Sequence, residues 1–208
     1  MLPETSSLSV GPGSVVAPPV LITVKATPFR AMRKFMESEL TPPQRESVLA
    51  QLSSEFPEYA ARMRGGTIMA SDRLPLVMVN RLTELLAKTV GQPLEEFAKR
   101  AGALGAEEAV NTVLKIMISF FSPQRMLDKT PTIWKTLYSH GDLLVEHTDT
   151  TATVELKNLP TQSIAGCGRI TGWFEWLAMK TGAKDVNVNH LECRARGGTR
   201  CIWKLVWR

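Results

Sequence analysis

Three cysteines and one histidine near the C-terminus, spaced Cys167-x22-His190-x2-Cys193-x7-Cys201, are the residues of this chain best suited to chemistry. Thiolates and a neutral imidazole are the usual donors of a structural Zn2+ ion, which takes four of them in a tetrahedron. No cysteine precedes Cys167, and the odd number argues against a disulfide framework and for reduced thiols with a shared purpose. A closed set of this kind leaves no open position for activating water, so the zinc expected here is structural and not catalytic. Free cysteine is also a small buried hydrophobe, and three unrelated core cysteines with a hydrogen-bonded histidine explain the same composition without a metal. Spacing alone leaves both readings open.

The elements that must position these side chains can be read around them. Over residues 185–192 a strand puts Val186, Val188 and His190 on one face, so His190 points inward. Cys193, three residues on, falls out of phase, and a bulge near Leu191 has to bring it round. Gly197-Gly198 marks the turn into a final strand, 200–208, with Cys201, Trp203, Leu205 and Trp207 on one face. Cys167 stands just before a helix that opens at Gly168, carries Ile170, Trp173, Phe174 and Leu177 on one stripe, and closes at Gly182. Before it, residues 143–147 and 151–156 read as a hairpin, with Ala152, Val154 and Leu156 alternating against polar neighbours.

Upstream the texture is helical. After a first β-rich run, Val20 to Val24, the prolines of Pro42-Pro43 and Phe56-Pro57 interrupt the pattern. Ser71 or Asp72 caps a helix with Leu74, Val77, Met78, Leu82, Leu85 and Leu86 at three- and four-residue spacing, ended by Gly91. Gly102-Ala103-Leu104-Gly105 reads as a break before a second long helix from about Ala106, striped by Val110, Val113, Leu114, Met117 and Phe120. A shorter helix after Thr132 carries Ile133, Trp134 and Leu137. The expectation is an α+β fold, helical over the N-terminal two thirds and packed on a mostly antiparallel C-terminal sheet. Residues 1–19, rich in Ser, Gly and Pro, read as a flexible leader to a single domain spanning 20–208.

Composition narrows the function. The net charge of +5 is scattered over helices and strands, which points to a solvated surface and not to specific nucleic-acid binding. No run of roughly 18 apolar residues offers a membrane-spanning helix, and the leader has no signal-peptide pattern, so a cytoplasmic protein is expected. No dinucleotide fingerprint, nucleophile elbow or His-Glu-x-x-His helix argues for an enzyme. A pocket between helices and sheet would take a small hydrophobic or aromatic molecule, with Trp134, Tyr138, Trp173 and Trp176 as lining and His140 or His147 bonding a hydroxyl. Without a phosphate-binding loop or a DNA-reading helix, such a sensor would signal through a protein partner. The alternative is a dimeric scaffold without a ligand, its homodimer made by strand addition of residues 20–24 across a two-fold axis.

The stretch from Cys167 to Cys201 resembles the C-terminal part of the 4-vinyl reductase-like ligand-binding domain, a module shared by phenol-sensing bacterial activators, heme nitric-oxide-binding relatives and Golgi transport particle subunits. In the phenol-sensing branch a cysteine precedes a glycine-containing helix, and an acidic zinc ligand stands three residues before Cys-x7-Cys. Here Cys167, Cys193 and Cys201 match, and His190 replaces the carboxylate, one zinc ligand for another. The resemblance implies a zinc-containing small-molecule-binding domain of the kind used in bacterial signalling. The middle of the chain, from Phe56-Pro57 through Arg64-Gly65-Gly66 and the long helices, resembles more loosely a myxobacterial domain family of unknown function.

Overall fold

A computed structural model of the chain describes residues 21–110, 121–160 and 162–208. The expected leader and the stripe residues Val113, Leu114, Met117 and Phe120 lie outside the described residues.

Pro42-Pro43 and Pro57 open helices where the sequence reading has them interrupt a pattern, because proline's missing N–H costs nothing in a first turn. Helix α1 (Thr27–Glu39) has Pro28 there and buries Phe29, Met32, Phe35 and Met36. Helix α2 (Pro42–Glu55) starts behind Thr41, whose backbone N–H donates to Gln44 Oε1 at 2.9 Å in a capping box. Helix α3 (Pro57–Gly65) begins at the second proline site.

Two short strands, β1 (Thr23–Lys25) and β2 (Arg73–Pro75), pair antiparallel. That pairing delays helix α4 (Leu76–Thr89) beyond its expected cap at Ser71 or Asp72. The far side of β1 is also used: Val24 bridges Tyr138, and Ser139 N–H donates to the Thr23 carbonyl at 2.9 Å. Its backbone is therefore spent within the chain, which removes the strand-addition route to the expected homodimer.

The expected break at Gly102-Ala103-Leu104-Gly105 does not occur. Helix α5 (Leu94–Ala109) runs through it, with Gly102 and Gly105 buried. A side chain at Gly102 would drive into the Arg169 carbonyl of helix α7 (Ile164–Lys180), and one at Gly172 into the Lys99 carbonyl of α5. Glycine here permits close approach of two helices; its cost of ~1 kcal/mol per residue in a helix is offset by packing. Helix α6 (Pro123–Leu137) starts well before Thr132, capped by Ser122, which accepts from Arg125 N–H, and it accommodates Pro131 internally. Helix α7 likewise starts before Gly168, because Ser163 caps it by accepting the Gly166 N–H at 2.9 Å.

The α+β class is as expected: helices α1 to α6 precede a four-stranded antiparallel sheet of order β3-β4-β6-β5, and α7 connects its strands β4 and β5. Its strands are β3 (Asp142–His147), β4 (Thr151–Lys157), β5 (Asn187–Glu192) and β6 (Cys201–Val206). Trp134, Phe97, Phe174 and Trp203 are among its largest fully buried side chains, in one core cluster that continues from Ile22 to Trp207.

Candidate metal centre and ligand cavity

The four donors converge. Cys167 lies in the first turn of α7, Cys201 opens β6, His190 sits on β5, and their ligand atoms with that of Cys193 all fall within 4.8 Å of one another. The out-of-phase cysteine is corrected as its alternation demands: the register of β5 on β6 slips between His190, opposite Trp203, and Glu192, opposite Ile202. Leu191, 63% exposed, is the extra residue, so the chain turns Cys193 back toward Cys201. A turn of 3-10 helix, Arg194–Arg196, then returns the chain to β6, with Gly198 N–H donating to the Cys193 carbonyl at 2.9 Å.

All three thiols are free and buried. Cys167 Sγ lies 3.8 Å from both Cys193 Sγ and Cys201 Sγ. That is too long for a disulfide, and it matches the edge, ~3.8 Å, of a tetrahedron with metal–sulfur bonds of ~2.3 Å. The electrostatics favour one thiolate: hydrogen bonding from Cys167, supported by His190 and by the Arg194 N–H at 3.4 Å, pushes the Cys201 thiol down to about 4. Cys167 is pushed up, by that same bond to Cys201 and then by burial. His190 Nε2 is buried without a hydrogen-bond partner among the described residues. The cluster is not sealed. Cys167, His190 and Cys193 line a surface cleft of about 320 Å³ together with Glu95, Glu96 and Arg196.

A second site lies between β1, α1, α5, α6 and α7. It is a mostly apolar cavity of about 40 Å³ lined by Val24, Ala101, Trp134, Tyr138, Ile170 and Trp173, among others. Of the six expected pocket residues, Trp134, Tyr138 and Trp173 line it, with the Tyr138 and Trp134 rings stacked 3.8 Å apart. Trp176 is buried elsewhere, under the ammonium of Lys180. His140 bonds Ser139 Oγ through Nδ1 at 2.8 Å, and His147 bonds Asp128 Oδ1 at 2.9 Å; neither lines the cavity. Sequence reasoning missed Arg169, a buried cavity-lining cation on α7. Its guanidinium donates to Thr83 Oγ1 at 2.8 Å and Asn80 Oδ1 at 2.6 Å. The signal available was its position one turn from Trp173, on the buried side of the helix stripe.

No family model matches the chain, and no curated protein matches it. Solved structures do. An H-NOX protein mutant from K. algicida in the Fe(II) unliganded form aligns with a TM-score of 0.66 at 12% identity, over 88% of this chain and 96% of that one. An H-NOX protein from S. oneidensis in the Fe(II)NO state aligns with a TM-score of 0.66 at 10% identity, over 88% and 99%. An oxygen-binding H-NOX domain related to soluble guanylate cyclases, in its oxygen complex, gives 0.60 at 11%, over 88% and 92%.

These neighbours correct the cofactor expectation. The first two are Fe(II) proteins, and a further one was solved in work on heme redox potential and porphyrin distortion, so what is recorded for these neighbours is iron and heme and not the structural zinc expected here. The residues of this chain do not fit a heme either. Its three histidines are His140, His147 and His190, and none faces the apolar cavity. That cavity, about 40 Å³, is far below the ~300–1,000 Å³ of pockets for large organic ligands. At 10 to 12% identity, what the chain shares with the H-NOX proteins is their fold.

Proposed function

We propose that residues 20–208 form a non-catalytic sensor module that binds a small ligand with an apolar body in the cavity walled by Trp134, Tyr138 and Trp173, and passes its occupancy to a protein partner. The observation that carries this reading is the cavity itself: apolar walls with a few convergent polar groups, Tyr138, Arg169 and Thr27, enclosed between the helical part and the strand pair that opens the fold. The shared fold with an oxygen-binding domain and the resemblance of the Cys167–Cys201 stretch to 4-vinyl reductase-like domains support the same class.

In this reading the cluster of Cys167, His190, Cys193 and Cys201 holds a transition-metal ion. The ion ties the first turn of α7 to the β5–β6 hairpin and so stiffens the helix that carries Arg169, Ile170 and Trp173 to the cavity. The chemistry of the donor set, three buried thiols and an imidazole with an unpaired ring nitrogen, supports a metal over three unrelated core cysteines.

A thermal-shift and tryptophan-fluorescence screen of small neutral, anionic and aromatic compounds tests the binding reading. Binders whose effect is lost on filling the cavity by Ala101→Leu are expected. A screen without binders, or binders insensitive to that substitution, overturns it.

A further inference from the structure

Arg169 is 4% exposed, yet its guanidinium meets neutral acceptors: Thr83 Oγ1, Asn80 Oδ1 and, at 3.5 Å, the Val79 carbonyl. Its Nε–H is buried without a partner, and no carboxylate makes an ion pair with it among the described residues. Glu84 acts on it only from a distance and is bonded to Arg81. Of the residues outside the described set, Glu4 is the lone acid. Burial lowers the hold of this guanidinium on its proton, but an arginine keeps its charge in a protein interior. A buried charge without a counter-ion is unfavourable, and an anion delivered to it is correspondingly favourable.

A second polar group points the same way. The Tyr138 hydroxyl has no hydrogen-bond partner among the described residues; its ring is pinned against Trp134, and it lies within electrostatic reach of Arg169. Arg169 and Tyr138 are both among the residues that line the one cavity, whose remaining walls are largely apolar. At ~10–15 Å³ for each water-sized atom, about 40 Å³ accommodates three or four such atoms.

Resting on the binding-module reading above, we infer that this cavity takes a small monocarboxylate of the size of acetate, its anionic head on Arg169 and Tyr138 and its methyl group against Ile170, Trp173 and Ala101. The apolar walls select a carboxylate with a methyl group over an inorganic oxyanion of the same shape, which would leave them without a partner.

The full chain is titrated with acetate, acetamide and nitrate at matched ionic strength and neutral pH, followed by tryptophan fluorescence and melting temperature. Acetate is expected to bind roughly tenfold or more tightly than acetamide, because a charge-assisted pair to Arg169 replaces a neutral one. Nitrate is expected to bind more weakly than acetate. Arg169→Met should abolish the preference for the anion. Should that variant fail to fold, Tyr138→Phe, which leaves the Arg169 network intact, should weaken acetate several-fold and acetamide less. Acetamide binding as tightly as acetate, or nitrate binding in its place, overturns the carboxylate assignment. Failure of all three probes beside hits from the wider screen also overturns it and leaves the binding module standing; failure of probes and screen together removes both.

Discussion

The indole of Trp203 lies flat against the imidazole of His190, ring centroids 4.3 Å apart and 3° from parallel, while its Nε1–H donates to Thr171 Oγ1 at 2.9 Å. One tryptophan on β6 thus braces a donor on β5 and grips α7 one turn past Cys167. The stacking fixes the orientation of the imidazole beside the three thiols.

The cluster should therefore carry a transition-metal ion through purification without added metal, read by elemental analysis. Cys193→Ser, which removes one buried donor, is expected to lose the ion and ~2–4 kcal/mol of unfolding free energy. A metal-free wild type whose melting temperature is unchanged by Cys193→Ser would remove the centre.

The turn that presents two of the donors hangs on Glu192. Its carboxylate accepts from Thr199 N–H and Oγ1 at 2.9 and 2.8 Å and from Arg200 N–H at 3.2 Å. The Thr199 hydroxyl first, then Arg200, holds this carboxyl below the usual range. Glu192→Gln should speed stripping of the ion by a chelator several-fold with little change in melting temperature. Equal stripping rates for variant and wild type would show that the turn is held by its backbone alone.

Contact between α5 and α7 at Gly102 leaves no room for a Cβ, since the obstacle is the Arg169 backbone carbonyl and not a flexible side-chain end. Gly102→Ala gains ~1 kcal/mol of helix propensity and should still lose about 2 kcal/mol net in denaturant unfolding. Gly105→Ala, whose Cβ would meet Pro28 Cα at 3.3 Å, should be close to neutral. Equal effects at the two positions would contradict the close approach.

Asp72 anchors the turn before β2: its carboxylate accepts the Met69 N–H at 3.0 Å and pairs with Arg62, which holds it below the usual carboxylate range, the Met69 bond foremost. A lowered folded value means the stabilisation is complete above the ordinary value near ~3.9 and fades as pH falls through the lowered one. Asp72→Asn should therefore cost up to about 1 kcal/mol at neutral pH, a difference that closes in acid. A gap independent of pH would assign the loss to packing.

Much of the candidate metal centre was legible because its evidence is local. Alternation along residues 185–192 and 200–208 assigns faces to His190 and Cys201, and the mismatch at Cys193 demands the bulge that the register slip at Leu191 supplies. The ligand cavity was half legible. Trp134, Tyr138 and Trp173 are large and apolar-bodied and invite the assignment, whereas Trp176, His140 and His147 invited it equally and have other partners. Arg169 was barely legible: its place one turn from Trp173 on the helix stripe hinted at burial, but a cation on a helix reads as surface until its burial is known.

By itself the sequence determined the candidate donor set, the period of its strands and helices, and hence the α+β class, since backbone geometry imposes those periods wherever a segment lies. Tertiary structure decided that α5 continues through Gly102, that β1 is spent on β2 and Tyr138, and that Arg169 faces a cavity without a carboxylate partner among the described residues. Each of those depends on which distant segment packs alongside, and neither propensity nor spacing carries that information.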